Sequence, residues 1–340
     1  MSARRDDAIR MVHGAGGQES AALIGELFAS RLSNDVLARM EDAAVLPVPG
    51  AAGSELAFTT DSFVVTPYRF LGGTIGSLAV CGTVNDLLMM GARPLWLTAA
   101  FILEEGLPVA DLEEVVDGMA RTAREADVRI VAGDTKVIGA RAGTPGLYIT
   151  TSGLGVREPG RPAPSAACAR PGDVLLVSGP VGDHHACILA ARSGMDLPVP
   201  SDCAPLVGPV DALLASGVDV RAMRDVTRGG LATISGEIAA SSRCGLLFDE
   251  ASIPVRPEVR ALCDLLGLDP MVMGCEGRFV AVVPAADEEK ALAALRSHPL
   301  SAGAVRVGCF EERPGVRMRT ALGTTRFVEA LSGEGLPRIC

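Results

Sequence analysis

The chain has 340 residues, 48% of them hydrophobic and 21% charged, with 31 basic against 41 acidic side chains for a net charge of −10. That length exceeds one ordinary core and predicts two domains, while an acidic balance with no block of basic residues excludes a stripe for nucleic-acid phosphates. No apolar run reaches the roughly 18 residues needed to cross a bilayer, and Met1-Ser2-Ala3-Arg4-Arg5-Asp6-Asp7 lacks the apolar stretch of a signal peptide, so a cytoplasmic protein without a membrane partner is expected.

In chain order, the first feature is His13-Gly14-Ala15-Gly16-Gly17, ahead of residues 19–32, where Leu23, Ile24, Leu27 and Phe28 have helical spacing. Glycines before a helix N-terminus turn amide N–H groups toward an anion and so cradle phosphates. A plain tight turn explains the same run, and the Gly-Lys-Ser/Thr ending of a P-loop is absent. Four acidic motifs follow: Glu41-Asp42-Ala43-Ala44, Thr59-Thr60-Asp61-Ser62, Val84-Asn85-Asp86-Leu87 and Ala132-Gly133-Asp134-Thr135-Lys136. Asp61 and Asp134 read as directly following strands, and the apolar neighbours of Asp86 predict partial burial. Each aspartate alone reads as a cap or turn residue. Together, behind a glycine loop, they point to a magnesium-nucleotide site, because magnesium takes a few carboxylates plus waters and phosphates.

Residues 95–103 and 128–131 read as strands among the helices of a mixed α and β first half. The segment Arg157-Glu158-Pro159-Gly160-Arg161-Pro162-Ala163-Pro164 reads as a linker. The second half alternates again, through apolar runs at 174–177, 246–248 and 279–283. In Asp225-Val226-Thr227-Arg228-Gly229-Gly230, Asp225 or Thr227 could cap the following helix, or Arg228 could meet a phosphate as a fixed fork. In Gly274-Cys275-Glu276-Gly277-Arg278, Glu276 is either a solvated turn residue or a general base. His184 and His185 read as capping or packing residues, and no Gly-x-Ser-x-Gly elbow accompanies the four histidines.

The nine cysteines form an odd set without a C-x-x-C pair, which fits a reduced compartment and small buried hydrophobes. Cys340, in Pro337-Arg338-Ile339-Cys340, is the exception. It follows the flexible composition Ser332-Gly333-Glu334-Gly335, and from residue 333 an extended chain reaches roughly 25 Å. A thiol on such a tail has a reason to exist if it carries a substrate covalently.

Taken in order, His13-Gly-Ala-Gly-Gly, Glu41-Asp-Ala-Ala, Thr60-Asp-Ser, Gly82-Thr-Val-Asn-Asp, Phe101-Ile-Leu-Glu-Glu-Gly-Leu-Pro, Gly133-Asp-Thr-Lys, Asp225-Val-Thr-Arg-Gly-Gly and Pro337-Arg-Ile-Cys resemble the HypE family of hydrogenase maturation factors. The aspartate and glycine motifs are shared with the wider superfamily of aminoimidazole ribonucleotide synthetase, and the ending singles out HypE. The resemblance implies an α+β (mixed α/β) PurM-like architecture. Residues 1–156 would form an N-terminal ATP/Mg-binding domain that dimerises through its sheet, 165–331 a C-terminal α/β sandwich domain, and 332–340 a flexible tail.

The resemblance also implies an activity: a HypF carbamoyltransferase loads a carbamoyl group on Cys340, and the resulting thiocarboxamide is dehydrated with ATP to a thiocyanate. The cyanide then passes to iron on a HypC–HypD complex, for the [NiFe]-hydrogenase centre. It implies ATP at Gly14, Gly16, Gly17, Asp42, Asp61, Asn85, Asp86, Asp134, Thr135 and Arg228. Mg2+ would be held by Asp42, Asp61, Asp86 and Asp134 with Asp225 as a further candidate, Lys136 would sit beside the amide oxygen or the transferring phosphate, and Glu276 would hold or deprotonate the amide nitrogen. Cys275 and Arg278 depart from the asparagine and lysine expected around that glutamate. A selenophosphate synthetase, a rival within the superfamily, would need a cysteine near the N-terminus, and the first here is Cys81. A nucleotide-binding scaffold whose tail only docks is the rival from another class.

Overall fold

A computed structural model describes Ile9, His13, residues 17–32, 34–48, 53–139, 145–157 and 159–329, and Cys340. Gly14, Gly16 and the tail residues before Cys340 lie outside the described residues. The chain begins with helix α1 (Gln18–Leu23), which runs into a π-helical stretch (Ile24–Ala29) and a last turn, α2 (Ser30–Leu32). Ile24 and Phe28 are exposed, so the apolar spacing there marks a face that the rest of the described chain does not bury.

The first sheet is built from β1 (Ala44–Pro47), β2 (Glu55–Phe63), β5 (Arg93–Glu104), β6 (Arg129–Ile138) and β7 (Leu147–Arg157) in the order β1-β2-β7-β5-β6. Its pairs are antiparallel apart from β5 and β6. A small hairpin, β3 (Arg69–Phe70) and β4 (Gly73–Thr74), leads into α3 (Ile75–Met89). Thr74 and Ser77 form a reciprocal capping box: Thr74 Oγ1 accepts from the Ser77 amide at 3.3 Å and Ser77 Oγ from the Thr74 amide at 2.9 Å. Helix α3 is apolar nearly all round and buried on almost every side. It packs on β2, β5 and β7, with α4 (Val109–Glu125) beside it.

Side chains alternate across β2 and β7 as a half-buried sheet requires. Thr59, Asp61 and Phe63 face α3, and Phe58, Thr60 and Ser62 face outward. Asp61 and Asp134 thus lie inside strands rather than after them. On the outer face Phe58, Trp96 and Ile102 are exposed apolar groups.

The second sheet contains β8 (Asp173–Val177), β9 (Ala222–Asp225), β10 (Gly245–Asp249), β11 (Phe279–Pro284), β12 (Val305–Glu311), β13 (Gly315–Arg319) and β14 (Thr325–Phe327) in the order β14-β13-β10-β12-β8-β11-β9. Strands β8 and β11 are continuous apolar runs because both their faces are covered. Leu175, Val177, Val280 and Val282 pack toward α7 (Gly230–Ser242). Val174, Leu176, Phe279 and Ala281 turn to a core containing α5 (Asp183–Ser193), α6 (Val207–Ala215), α9 (Glu288–Arg296) and α3. A further helix, α8 (Pro257–Leu266), packs against α5. Helix α3 therefore belongs to the cores of both halves, and the ground between them is where the acidic motifs meet.

Candidate active site

Five segments distant in sequence converge on one cavity of about 790 Å³. Asp42 comes from the approach to β1, Asp61 from the inner face of β2, Asp86 from α3, Asp225 from the end of β9, and Glu276 from the loop before β11. Gly17, Thr59, Arg224, Arg228 and Cys340 also line it.

Local chemistry fixes each acidic group. The Thr59 hydroxyl donates to Asp86 Oδ2 at 2.8 Å, with the carbonyl of Asp42 within reach at 3.1 Å. Buried Arg224 pairs with Asp42 Oδ1, donates to the Met40 carbonyl at 2.7 Å, and lies 3.4 Å from Glu41 Oε2. The turn from β9 into α7 depends on glycine. Gly229 and Gly230 have φ of +79° and +62°, and a Cβ on Gly230 would stand 2.6 Å from the Met271 carbonyl oxygen. Gly229, rather than Asp225 or Thr227, occupies the cap position of α7, and no side chain caps it. The turn leaves Arg228 facing the cavity.

Burial and mutual repulsion push these carboxyls up from their ordinary values. Burial raises Asp42 to about 6 in spite of Arg224. It also raises Asp61, against the pull of Arg228. Asp86 stands well above its ordinary value, from burial first and then from Asp225, Asp61 and Asp42, and so does Asp225, from burial first and then from Asp42 and Asp61. Glu276 is likewise raised well above its range, by burial and then by Cys203 and Asp225. Arg228 is held as a cation, first of all by the charge at Cys340.

Asp42 Oδ2 and Glu276 Oε1 are buried without a hydrogen-bond partner among the described residues. Such orphaned oxygens, in a concentration of carboxylates, suit a hard cation. Among the described residues no three metal-ligating side chains are gathered tightly enough to hold an ion alone. The donor set thus fits magnesium that takes its remaining ligands from water and phosphate oxygens.

The other sequence-predicted residues lie elsewhere. Asn85 does not line the cavity: its Oδ1 accepts from the Leu206 amide at 2.9 Å, and its Nδ2 donates to the carbonyls of Ala204 at 3.2 Å and Glu276 at 3.5 Å. It fastens α3 to the second half. Asp134, Thr135 and Lys136 are exposed on β6, and Lys136 Nζ pairs with Asp134 Oδ2 at 2.7 Å, which holds the Asp134 carboxyl below its ordinary value. Asp134 and Lys136 share a row with Ala100 and Ile102 on the outer face of the sheet, so this chain does not bring them to its own cavity.

Cys275 accepts from the Gly182 amide at 3.2 Å within the core, and Arg278 donates to the carbonyls of Pro180, Gly277 and Leu300. Both are turned to scaffolding. His184 hydrogen-bonds Ser201 at 2.7 Å, and burial lowers His185 to about 3. Glu41 and Thr59, which stand in the acidic motifs, also line the cavity, and so do Arg224 and Glu237, which no motif marks. The signal available for Arg224 was a charge inside the otherwise apolar start of a strand, beside Asp225.

Residues 40–156 match the AIR synthase related protein N-terminal domain and residues 170–320 its C-terminal domain. Fold and site thus define a two-domain protein of the AIR synthase related, PurM-like class. At the sequence level, carbamoyl dehydratase HypE of Rhodobacter capsulatus is 52% identical over 99% of this chain and 100% of its own. That of Escherichia coli K12 is 46% identical over 98% and 99%.

Among solved structures, the HypE-HypF complex superposes with TM-score 0.85 at 43% identity, over 91% of this chain and 100% of that one. E. coli HypE gives 0.82 at 44% identity, over 94% and 100%. The hydrogenase maturation protein HypE in complex with ATP gives 0.80 at 44% identity, over 98% and 100%. The chain belongs to the HypE family of carbamoyl dehydratases.

Proposed function

We propose that this protein dehydrates a thiocarboxamide carried on Cys340 to a thiocyanate, at the expense of ATP, to supply cyanide for the iron of [NiFe]-hydrogenase. The observation that carries the reading is the position of Cys340, buried in the same cavity as Asp42, Asp61, Asp86, Asp225, Arg228 and Glu276. A thiol there has no packing need for five carboxylates around it. Cargo on its sulfur would stand among them.

The amide oxygen is a poor leaving group until it is phosphorylated. In the proposed reaction it attacks the γ-phosphorus of ATP and expels ADP, while the nitrogen gives up one proton. Loss of the second N–H proton then forms the nitrile as the C–O bond breaks and phosphate departs. Glu276 is the base: burial favours its protonated form, so it accepts a proton readily once ionised. Arg228 holds the phosphates as a fixed cationic fork. Asp42, Asp61, Asp86 and Asp225 would hold magnesium, which supplies charge neutralisation at the phosphates.

Lys136 and Asp134 reach a site only from a second copy of the chain. The reading therefore includes a homodimer joined through the outer face of the first sheet, where Phe58, Trp96 and Ile102 await cover. Lys136 of the partner subunit then lies beside the amide oxygen. A HypF-type carbamoyltransferase loads the thiol and a HypC–HypD-type complex receives the cyanide, in a reduced, cytoplasmic setting; among the described residues no helix is long and apolar enough to span a membrane. The ATP complex and the HypF complex of the similar HypE structures support the nucleotide and the loading partner.

Intact-mass spectrometry tests the reading. Protein carbamoylated at Cys340 loses the mass of one water when ATP and magnesium are added, and the Cys340→Ala variant takes up no carbamoyl group. A carbamoylated form unchanged by ATP, with every other component active, sinks the dehydratase assignment.

A further inference from the structure

The segment 201–206 has no helix or strand, yet its groups are pinned from both halves of the chain. The Ser201 amide donates to the Leu71 carbonyl at 2.8 Å, and the Leu206 amide to Asn85 Oδ1 at 2.9 Å. Between these anchors the segment grips the backbone of Glu276 from two sides. Asp202 Oδ1 accepts from the Glu276 amide at 2.8 Å, and the Ala204 amide donates to the Glu276 carbonyl at 3.4 Å. The approach is close enough that a Cβ on Gly277 would overlap the Asp202 carbonyl.

Asp202 is an expensive choice for this grip. Its side chain is 0% exposed, and Arg278 Nε stands 3.9 Å from its Oδ2, which has no hydrogen-bond partner among the described residues. A buried carboxylate that incompletely paired is retained against a desolvation cost of several kcal/mol per ion in general. A charged acceptor does give a shorter and stronger hydrogen bond to a backbone N–H than a neutral one. Glu276 lies on a loop with no regular structure of its own, and its carboxyl end makes no bond that would hold it through Oε1. Its aim into the cavity is therefore set by its backbone.

We propose that Asp202 is a positioning residue for the dehydration step, holding the Glu276 amide so that the Glu276 carboxyl meets the nitrogen of the cargo. Asp202 does not line the cavity, so it would act through Glu276 rather than on nucleotide or cargo. The inference rests on Glu276 being the base, as proposed above. Misplacing a catalytic group by about 1 Å costs on the order of a hundredfold in rate.

The test is a single-turnover measurement of water loss from the carbamoylated full-length protein by intact mass at saturating Mg-ATP, with ATP affinity measured in parallel. Asp202→Ala should slow water loss by about ten- to a hundredfold while ATP affinity stays within about twofold. Asp202→Asn keeps an acceptor for the amide and should restore the rate to within about threefold of wild type. If Asp202→Ala does not fold, Asp202→Ser, too short to reach the amide, takes its place against Asn. Water loss at the wild-type rate in the variant without an acceptor overturns the proposal. So does an asparagine variant as slow as that one, or a loss of ATP affinity that matches the loss of rate. Glu276→Gln serves as the control: if it dehydrates its cargo at the wild-type rate, the assignment of the base has failed rather than that of its support.

Discussion

Asn85 offers a sharp test of how the two halves are joined. Its side chain is 2% exposed and spends its amide on Leu206, Ala204 and Glu276. In Asn85→Ala the buried Leu206 N–H and the part-buried Ala204 carbonyl lose their partner. Each buried group left unsatisfied costs about 1–3 kcal/mol, so the pair should destabilise the protein by about 2–6 kcal/mol, the part-buried Ala204 carbonyl counting toward the lower end and the cavity toward the upper. Asn85→Asp should be worse, because it turns a buried negative charge toward two carbonyl oxygens. Urea unfolding at fixed protein concentration, followed by the fluorescence of Trp96, the single tryptophan, reads the loss. ATP affinity, measured where the variant is still folded, should change little, since Asn85 is absent from the cavity wall. A destabilisation below about 1 kcal/mol together with a large loss of ATP affinity would refute the argument and return Asn85 to the nucleotide site.

Three further outcomes are expected. Asp42 titrates near 6 in the folded chain against an ordinary 3.8, and Asp61, Asp86 and Asp225 are raised in the same sense. The folded state thus holds protons on these four carboxyls that the unfolded state releases, against the one that buried His185, lowered to about 3, refuses, so stability without magnesium or nucleotide should rise as pH falls from about 7 to about 5. Thermal melts with and without Mg-ATP check this, and a midpoint that falls over that range contradicts it. Gly230→Ala forces a Cβ into the backbone at residues 271–273 at positive φ and should cost at least about 2 kcal/mol, read as a lower urea midpoint. Finally, Lys136→Ala and Cys340→Ala should each be inactive, yet mixed dimers should regain activity, up to about a quarter of wild type with random exchange, because one site then has both groups. No recovery despite exchange of subunits would place Lys136 outside the partner's site.

The sequence already showed much of this, for reasons that differ by residue. Strands β8 and β11 were legible because two covered faces demand unbroken apolar runs. Asp42, Asp86, Asp225 and Glu276 stood out as carboxylates near glycine or apolar residues and Asp61 as one at a strand, and the fold brings all five together. Asp134 and Lys136 were legible as chemistry but not as place. The alternation of a strand decides which face they take, and nothing local says which face that is or what would meet it. The apolar spacing of Ile24 and Phe28 located a helix face and could not say whether anything covers it. Asp202 was invisible for a further reason: it is a polar residue in an irregular segment, and its partner amide is 74 residues away.

The burial of Cys340 has a consequence for timing. A cysteine only 8% exposed within the cavity is reachable by what shares that cavity and hidden from any other protein's active site. On the proposed reading, receiving cargo and dehydrating it are then mutually exclusive states of one thiol. The protein resembles a turnstile more than an open bench, and its throughput is bounded by how often Cys340 changes sides.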